Sequence, residues 1–136
     1  MIDSTQIIYN SVLKLLKSHR DLSKIITNIY DITPNKVSLP YVNVQINNLK
    51  TLNTFNKNIF KVQILCNIYS NHLDTLYEIS SIIINKLVNY QVNSAKFEYK
   101  IIPEYSSNIN QNKESIHALL IFNVLAKETH VNTIAN

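Results

Sequence analysis

The sequence predicts an α+β fold: a mainly antiparallel sheet of four to five strands with two main helices on one face. Three observations predict it. Residues 4–19 and 71–89 repeat apolar side chains at helical spacing. Several other stretches alternate apolar and polar residues with the period of a strand. The resulting order is helix, strands, helix, strands, with neither an internal repeat nor a linker. At 136 residues the chain has the size of one domain, which we place over residues 1–128, with a flexible tail over residues 129–136.

In the first helix Ile8, Val12, Leu15 and Leu16 share one face with His19, and Asn10, Lys14 and Lys17 lie opposite. Asp3, with Gln6 three residues on, has the arrangement of a capping box. A short helical turn is expected through Leu22 and Ile25, then a short strand over residues 28–32. Thr33-Pro34-Asn35-Lys36 is a loop signal. From Tyr41 to Ile46 the strand pattern is clear, with Val42, Val44 and Ile46 on one face.

Residues 47–58 are rich in Asn and Thr and read as a loop or the exposed tip of a long hairpin. Leu52 and Phe55 are large and apolar there; they either fold back on the sheet or meet a partner. Residues 59–69 form the clearest strand, with Phe60, Val62, Ile64, Cys66 and Ile68 on one face and Lys61, Gln63, Leu65, Asn67 and Tyr69 on the other.

The second helix is expected to be capped by Asn71 and to bury Leu73, Leu76, Tyr77, Ser80, Ile83, Ile84 and Leu87. Ile82 falls near the middle of its polar face. A strand over residues 96–104 ends at or shortly after Pro103, and a polar loop follows over residues 105–114. The last strand, residues 115–126, places Ile116, Ala118, Leu120, Phe122 and Val124 on one face and Leu119, Ile121 and Leu125 on the other. A strand apolar on both faces is either covered by two layers or part of a subunit interface. With both main helices on one side, the interface reading is favoured. Leu52, Phe55, Ile82, Leu119, Ile121 and Leu125 are therefore the candidate interface residues.

Composition narrows the function further. Apolar residues make up 46% and charged residues 16%. No apolar run approaches the length of a membrane span. The start Met1-Ile2-Asp3-Ser4 lacks a basic region followed by an apolar run, so a cytoplasmic start is expected. The net charge of +4 comes from scattered Lys and the lone Arg20. Nucleic-acid faces cluster basic residues and favour Arg, so ordinary solvated Lys is the better reading.

The chain contains no Gly, which excludes phosphate-cradling Gly-rich loops and a G-x-S-x-G elbow. Turns needing a positive φ then fall to Asn, and Asn47, Asn48, Asn56, Asn58 and Asn110 are the candidates. Cys66 is the single cysteine and reads as a buried core thiol. His19, His72, His117 and His130 show no metal-ligand spacing, so neither a metal nor a cofactor is expected. His117 reads as a hydrogen-bonded strand residue, and Asp74 and Glu78 as acids favouring a helix N-terminus. No catalytic set is found, and a non-enzymatic protein that packs against other subunits is expected.

With its elements in this order, the chain resembles the tail-completion, or tail-terminator, proteins of long-tailed bacteriophages and gene-transfer-agent-like particles. The features that carry the resemblance are the helix from Ile7 to Leu16, the segment Asn28-Ile29-Tyr30-Asp31, and Leu39-Pro40-Tyr41-Val42-Asn43-Val44 after a Pro-containing loop. A strand from Phe60 to Tyr69 then runs directly into a helix that ends near Leu87, and a long strand closes the domain. The likeness spans residues 7–127. The family's usual Gly before the Ile-Tyr pair is replaced by Thr27-Asn28.

The resemblance implies a virion structural protein that forms a ring, typically six-fold, on the head-proximal end of the tail tube. Its partners would be copies of itself, the tail-tube protein and the neck or connector proteins, with no membrane and no specific nucleic acid. Its place would be the virion tail or neck, reached from the host cytoplasm during assembly. The rival readings are a neck or head–tail connector subunit, a basic nucleic-acid-binding module whose affinity falls steeply with salt, and a small enzyme using His117 or Cys66.

Overall fold

The computed structural model describes residues 2–54, 57–88, 90–93, 97–111 and 115–128, with side chains for residues 5–47, 61–88, 90 and 115–126. In chain order the elements are α1 (Ile2–Lys17), α2 (Arg20–Ile25), β1 (Ile29–Tyr30), β2 (Tyr41–Thr54), β3 (Lys57–Ser70), α3 (Leu73–Leu87), β4 (Gln91–Asn93), β5 (Phe97–Gln111) and β6 (Ile116–Glu128). The six strands form one sheet in the order β1-β2-β3-β6-β5-β4. Every pairing is antiparallel except β1 with β2. The fold is thus α+β around four long strands, with short β1 and β4 at the edges.

One core joins the helices to one face of the sheet. Val42, Val44, Val62, Ile64, Cys66, Ile68, Leu120, Phe122 and Val124 are fully buried or nearly so. They stand in rows across the strands, as in Val44–Cys66–Leu120 and Ile64–Phe122. From α1, Ile8, Val12 and Leu16 enter the core at a spacing of four. From α3, Leu76, Ile79, Ile83 and Leu87 enter it at spacings of three and four.

The α3 stripe is rotated from the one the sequence predicts. Ile79 is buried, while Leu73 is 36% and Tyr77 50% exposed. Ile82 is not a lone exposed residue. It is half-buried against the edge of the core, because the short α2 packs beside α3 on that side.

The helix caps also differ. Asp3 lies inside α1 rather than ahead of it. His19 leaves the α1 face and caps α2, its Nδ1 accepting from the Leu22 amide at 3.3 Å. At the start of α3 the tie is made by Ser70 rather than Asn71. The Ser70 hydroxyl accepts from the His72 amide at 3.2 Å and donates to the His72 carbonyl at 3.1 Å.

The strands outrun their sequence signals. β2 and β3 continue as a hairpin to Thr54 and Lys57, so residues 47–54 are strand, not loop. β5 continues through the expected loop to Gln111, in register with β6 as far as Gln111–Ile116. The ladder to β6 outweighs the weak strand propensity of its Ser and Asn residues. Pro103 does not end β5, because a register shift between Ile102 and Tyr105 absorbs it. Asn47, Asn48, Asn58 and Asn110 accordingly lie in strands and not at turns. Asn56, Phe55 and residues 129–136 lie outside the described residues.

Candidate interaction surface

The helices cover only one face of the sheet. On the other, register brings together residues far apart in the chain. Its rows are Tyr41–Tyr69–His117, Asn43–Asn67–Leu119, Gln45–Leu65–Ile121 and Asn47–Gln63–Asn123, with Lys61–Leu125 beyond them. Lys61 is its one charged member among the described side chains. The other described charges lie on the helices or, as Asp31 and Lys36 do, in the β1–β2 connection.

One end of this face is aromatic. Tyr30 meets Tyr41 edge-on, with centroids 5.8 Å apart and planes at 73°. Tyr41 stacks on Tyr69 at 4.8 Å, and Tyr69 stacks on His117 at 4.5 Å. Each stack joins residues directly opposite on neighbouring strands, where cross-strand side chains meet. His117 Nε2 lies 2.8 Å from Asn67 Oδ1. An amide oxygen only accepts, so Nε2 carries the hydrogen and donates. Partial burial holds the His117 pKa below its ordinary value. Burial first, and then the neighbouring Tyr69 and Tyr30, raise that of Tyr41.

The next rows are apolar at their centre. Leu65, Leu119 and Ile121 are half-buried, and Leu125 is 40% exposed. Of the candidate interface residues, the structure therefore gathers Leu119, Ile121 and Leu125 on one face that no described helix covers. Leu52 sits in β2 opposite Ile59, towards the hairpin tip. Ile82 is elsewhere, in a groove of about 530 Å³ between α2 and α3 with Asp21, Lys24, Ile25 and Glu78. Sequence reasoning missed the contribution of Tyr41, Tyr69, His117 and Leu65. Their alternation placed each on a strand face, but only the register makes them neighbours.

On the open face itself Asn43 is buried, at 7% exposure, against the residues that end β1 and follow it. Its amide nitrogen lies 3.3 Å from the Tyr30 carbonyl, 3.1 Å from the Asp31 carbonyl and 3.1 Å from Thr33 Oγ1. On the core side Cys66 is fully buried, and burial pushes its thiol pKa up to about 12. Such a thiol is protonated and inert as a nucleophile at neutral pH. Among the described residues, no group of three or more His, Cys, Asp or Glu is placed to hold a metal ion. No described helix is long and apolar enough to cross a membrane.

The fold is α+β, with the helices on one face of a six-stranded sheet and no described helix on the other. No family model and no curated protein sequence matches it. Among solved structures it is similar to a chain from the virion of a native gene transfer agent particle, with a TM-score of 0.66. The two are 10% identical, and the likeness covers 85% of this chain and 91% of the other. At that identity the shared property is the fold.

Proposed function

We propose that the protein is a structural component of a phage or gene-transfer-agent virion, acting as a tail terminator without catalysis. Copies of it form a closed ring, six-fold in this reading, that ends polymerisation of the tail tube and presents a surface for head joining. The observation that carries this reading is the agreement in architecture with a gene transfer agent virion chain over nearly the full length of both. It is supported by the apolar and aromatic sheet face left uncovered beside a single charged side chain among those described. A low-charge surface with aromatic residues suits protein contacts better than phosphate contacts. Its partners are further copies, the tail-tube protein and the neck proteins, in the virion tail.

Size-exclusion chromatography with light scattering tests the ring, with the chain alone and with the tail-tube protein of its particle. A closed oligomer in either condition supports the reading, and a monomer in both overturns it. Capture of the connector protein but not the tube protein would move the chain to the neck.

A further inference from the structure

Among the described residues, the two outermost long strands each have much of one backbone edge without a paired strand. Among the described residues, β1 pairs β2 only at Val42 and Asn43. The Tyr9 hydroxyl donates to the Val44 carbonyl at 2.7 Å. No described strand pairs with this side of β2 from Gln45 to Thr54. At the other edge, β4 pairs β5 over Glu98–Lys100, and no described strand lies on the outer side of residues 101–111.

Sheet edges of this length are usually guarded by charge or proline. Here Tyr105–Gln111 contains neither, and residues 45–54 contain one charge, Lys50. Pro103 and Glu104 stand just ahead of the unguarded stretch, at the register shift.

We propose that the seam between copies is formed by pairing the β5 edge of one copy with the β2 edge of the next. This inference rests on the ring reading above and names the contact that closes it. Three features make a second copy the occupant. First, β2, β3, β6 and β5 alternate in direction, so β5 runs antiparallel to β2. A rotation about an axis along the strands preserves direction, so the next copy's β2 meets β5 antiparallel and the alternation continues. Second, the contact joins two different edges, which makes it heterologous, as a ring requires. Third, β1 and β4 block opposite ends of the strands. β1 lies at the level of Val42, whereas β4 lies near the row Tyr99–Ala126–Phe60–Thr51. The free stretches share the rows from Gln45–Ser106 to Asn48–Ile101. A tilt of the strands from the rotation axis, which closing a sheet on itself needs, staggers the copies and extends that overlap. The backbone ladder supplies the contact, so few charged or large side chains are needed along the edge.

Cross-linking tests the seam. Asn47 of β2 and Asn108 of β5 belong to the uncovered edges and, in register, to rows of the open face. Asn108 is level with Asn43, four residues from Asn47, so the pair face each other when copies are staggered by about four residues. The double variant Asn47→Cys/Asn108→Cys is treated with a bismaleimide of about 10 Å reach, which spans a slip of two residues to either side, about 7 Å. Cys66 is fully buried and stays silent.

The expected result is a ladder of covalent multimers ending at the ring, with single variants remaining uncross-linked. An oligomer by light scattering that yields no ladder overturns the seam and leaves the ring. Single variants that cross-link as dimers show a twofold edge contact and also overturn it. A monomer with and without tail-tube protein removes both the seam and the ring.

Discussion

Tyr69 and His117 lie face to face on neighbouring strands, directly opposite in register, with ring planes 9° from parallel. That stack, together with Asn67 at Nε2, surrounds the neutral imidazole, and partial burial lowers its pKa. The stability consequence has a definite sign. As pH falls below the ordinary value of 6.5, the unfolded chain takes up this proton before the folded chain does. Stability therefore falls with falling pH until the folded ring also protonates. Urea midpoints at pH 7 and pH 5 should drop for the native chain and drop less for His117→Gln. An equal drop in both would show that His117 does not carry the effect.

Cys66 should behave as a reporter of global unfolding. It is central in β3, fully buried, with its thiol pKa raised to about 12. A thiol reagent at pH 8 should label it negligibly in the folded chain and rapidly in denaturant. Its labelling rate should track the unfolding equilibrium across a denaturant series. Rapid labelling without denaturant would contradict its place in the core.

The core and the open face should separate stability from assembly. Phe122 and Ile121 are neighbours in β6 that point to opposite faces, one fully buried under the helices and one half-buried on the uncovered side. Phe122→Ala should cost about 3–5 kcal/mol through lost contacts and the cavity left behind. Ile121→Ser should cost under about 1 kcal/mol in the monomer. On the ring reading it should nonetheless weaken assembly, seen as a shift of the oligomer peak to smaller mass. Loss of folding in Ile121→Ser would show that the residue belongs to the core.

These contrasts show which parts of the fold were legible in the sequence. Alternation placed Leu119, Ile121 and Leu125 on one face of β6, because period two is a local property. The α1 residues Ile8, Val12 and Leu16 were legible for the same reason at helical period. The rows Tyr41–Tyr69–His117 were not, because register depends on pairing between distant strands. The length of β5 was hidden because Ser106, Ser107 and Asn108 are poor strand formers held by the ladder to β6. Ile82 looked exposed on the α3 wheel alone, since the position of α2 is a tertiary fact.

Asn43 should prove the most costly polar side chain to remove among those described on β2. It lies in β2 opposite Tyr30 of β1 and is buried. Its amide holds the Tyr30 and Asp31 carbonyls and Thr33 Oγ1, fixing the path from β1 into the loop. Asn43→Ala removes the donor and leaves those acceptors short of a partner, at a cost of about 1–3 kcal/mol. Asn43→Asp should cost at least as much, because a carboxylate cannot donate to a carbonyl and brings a charge under partial burial. Hydrogen exchange distinguishes a local from a general effect. In Asn43→Ala the amides of β1 should exchange faster than those of β3 and β6, measured relative to the native chain. Uniform acceleration across all strands would mean that Asn43 supports the whole fold and not this pairing alone.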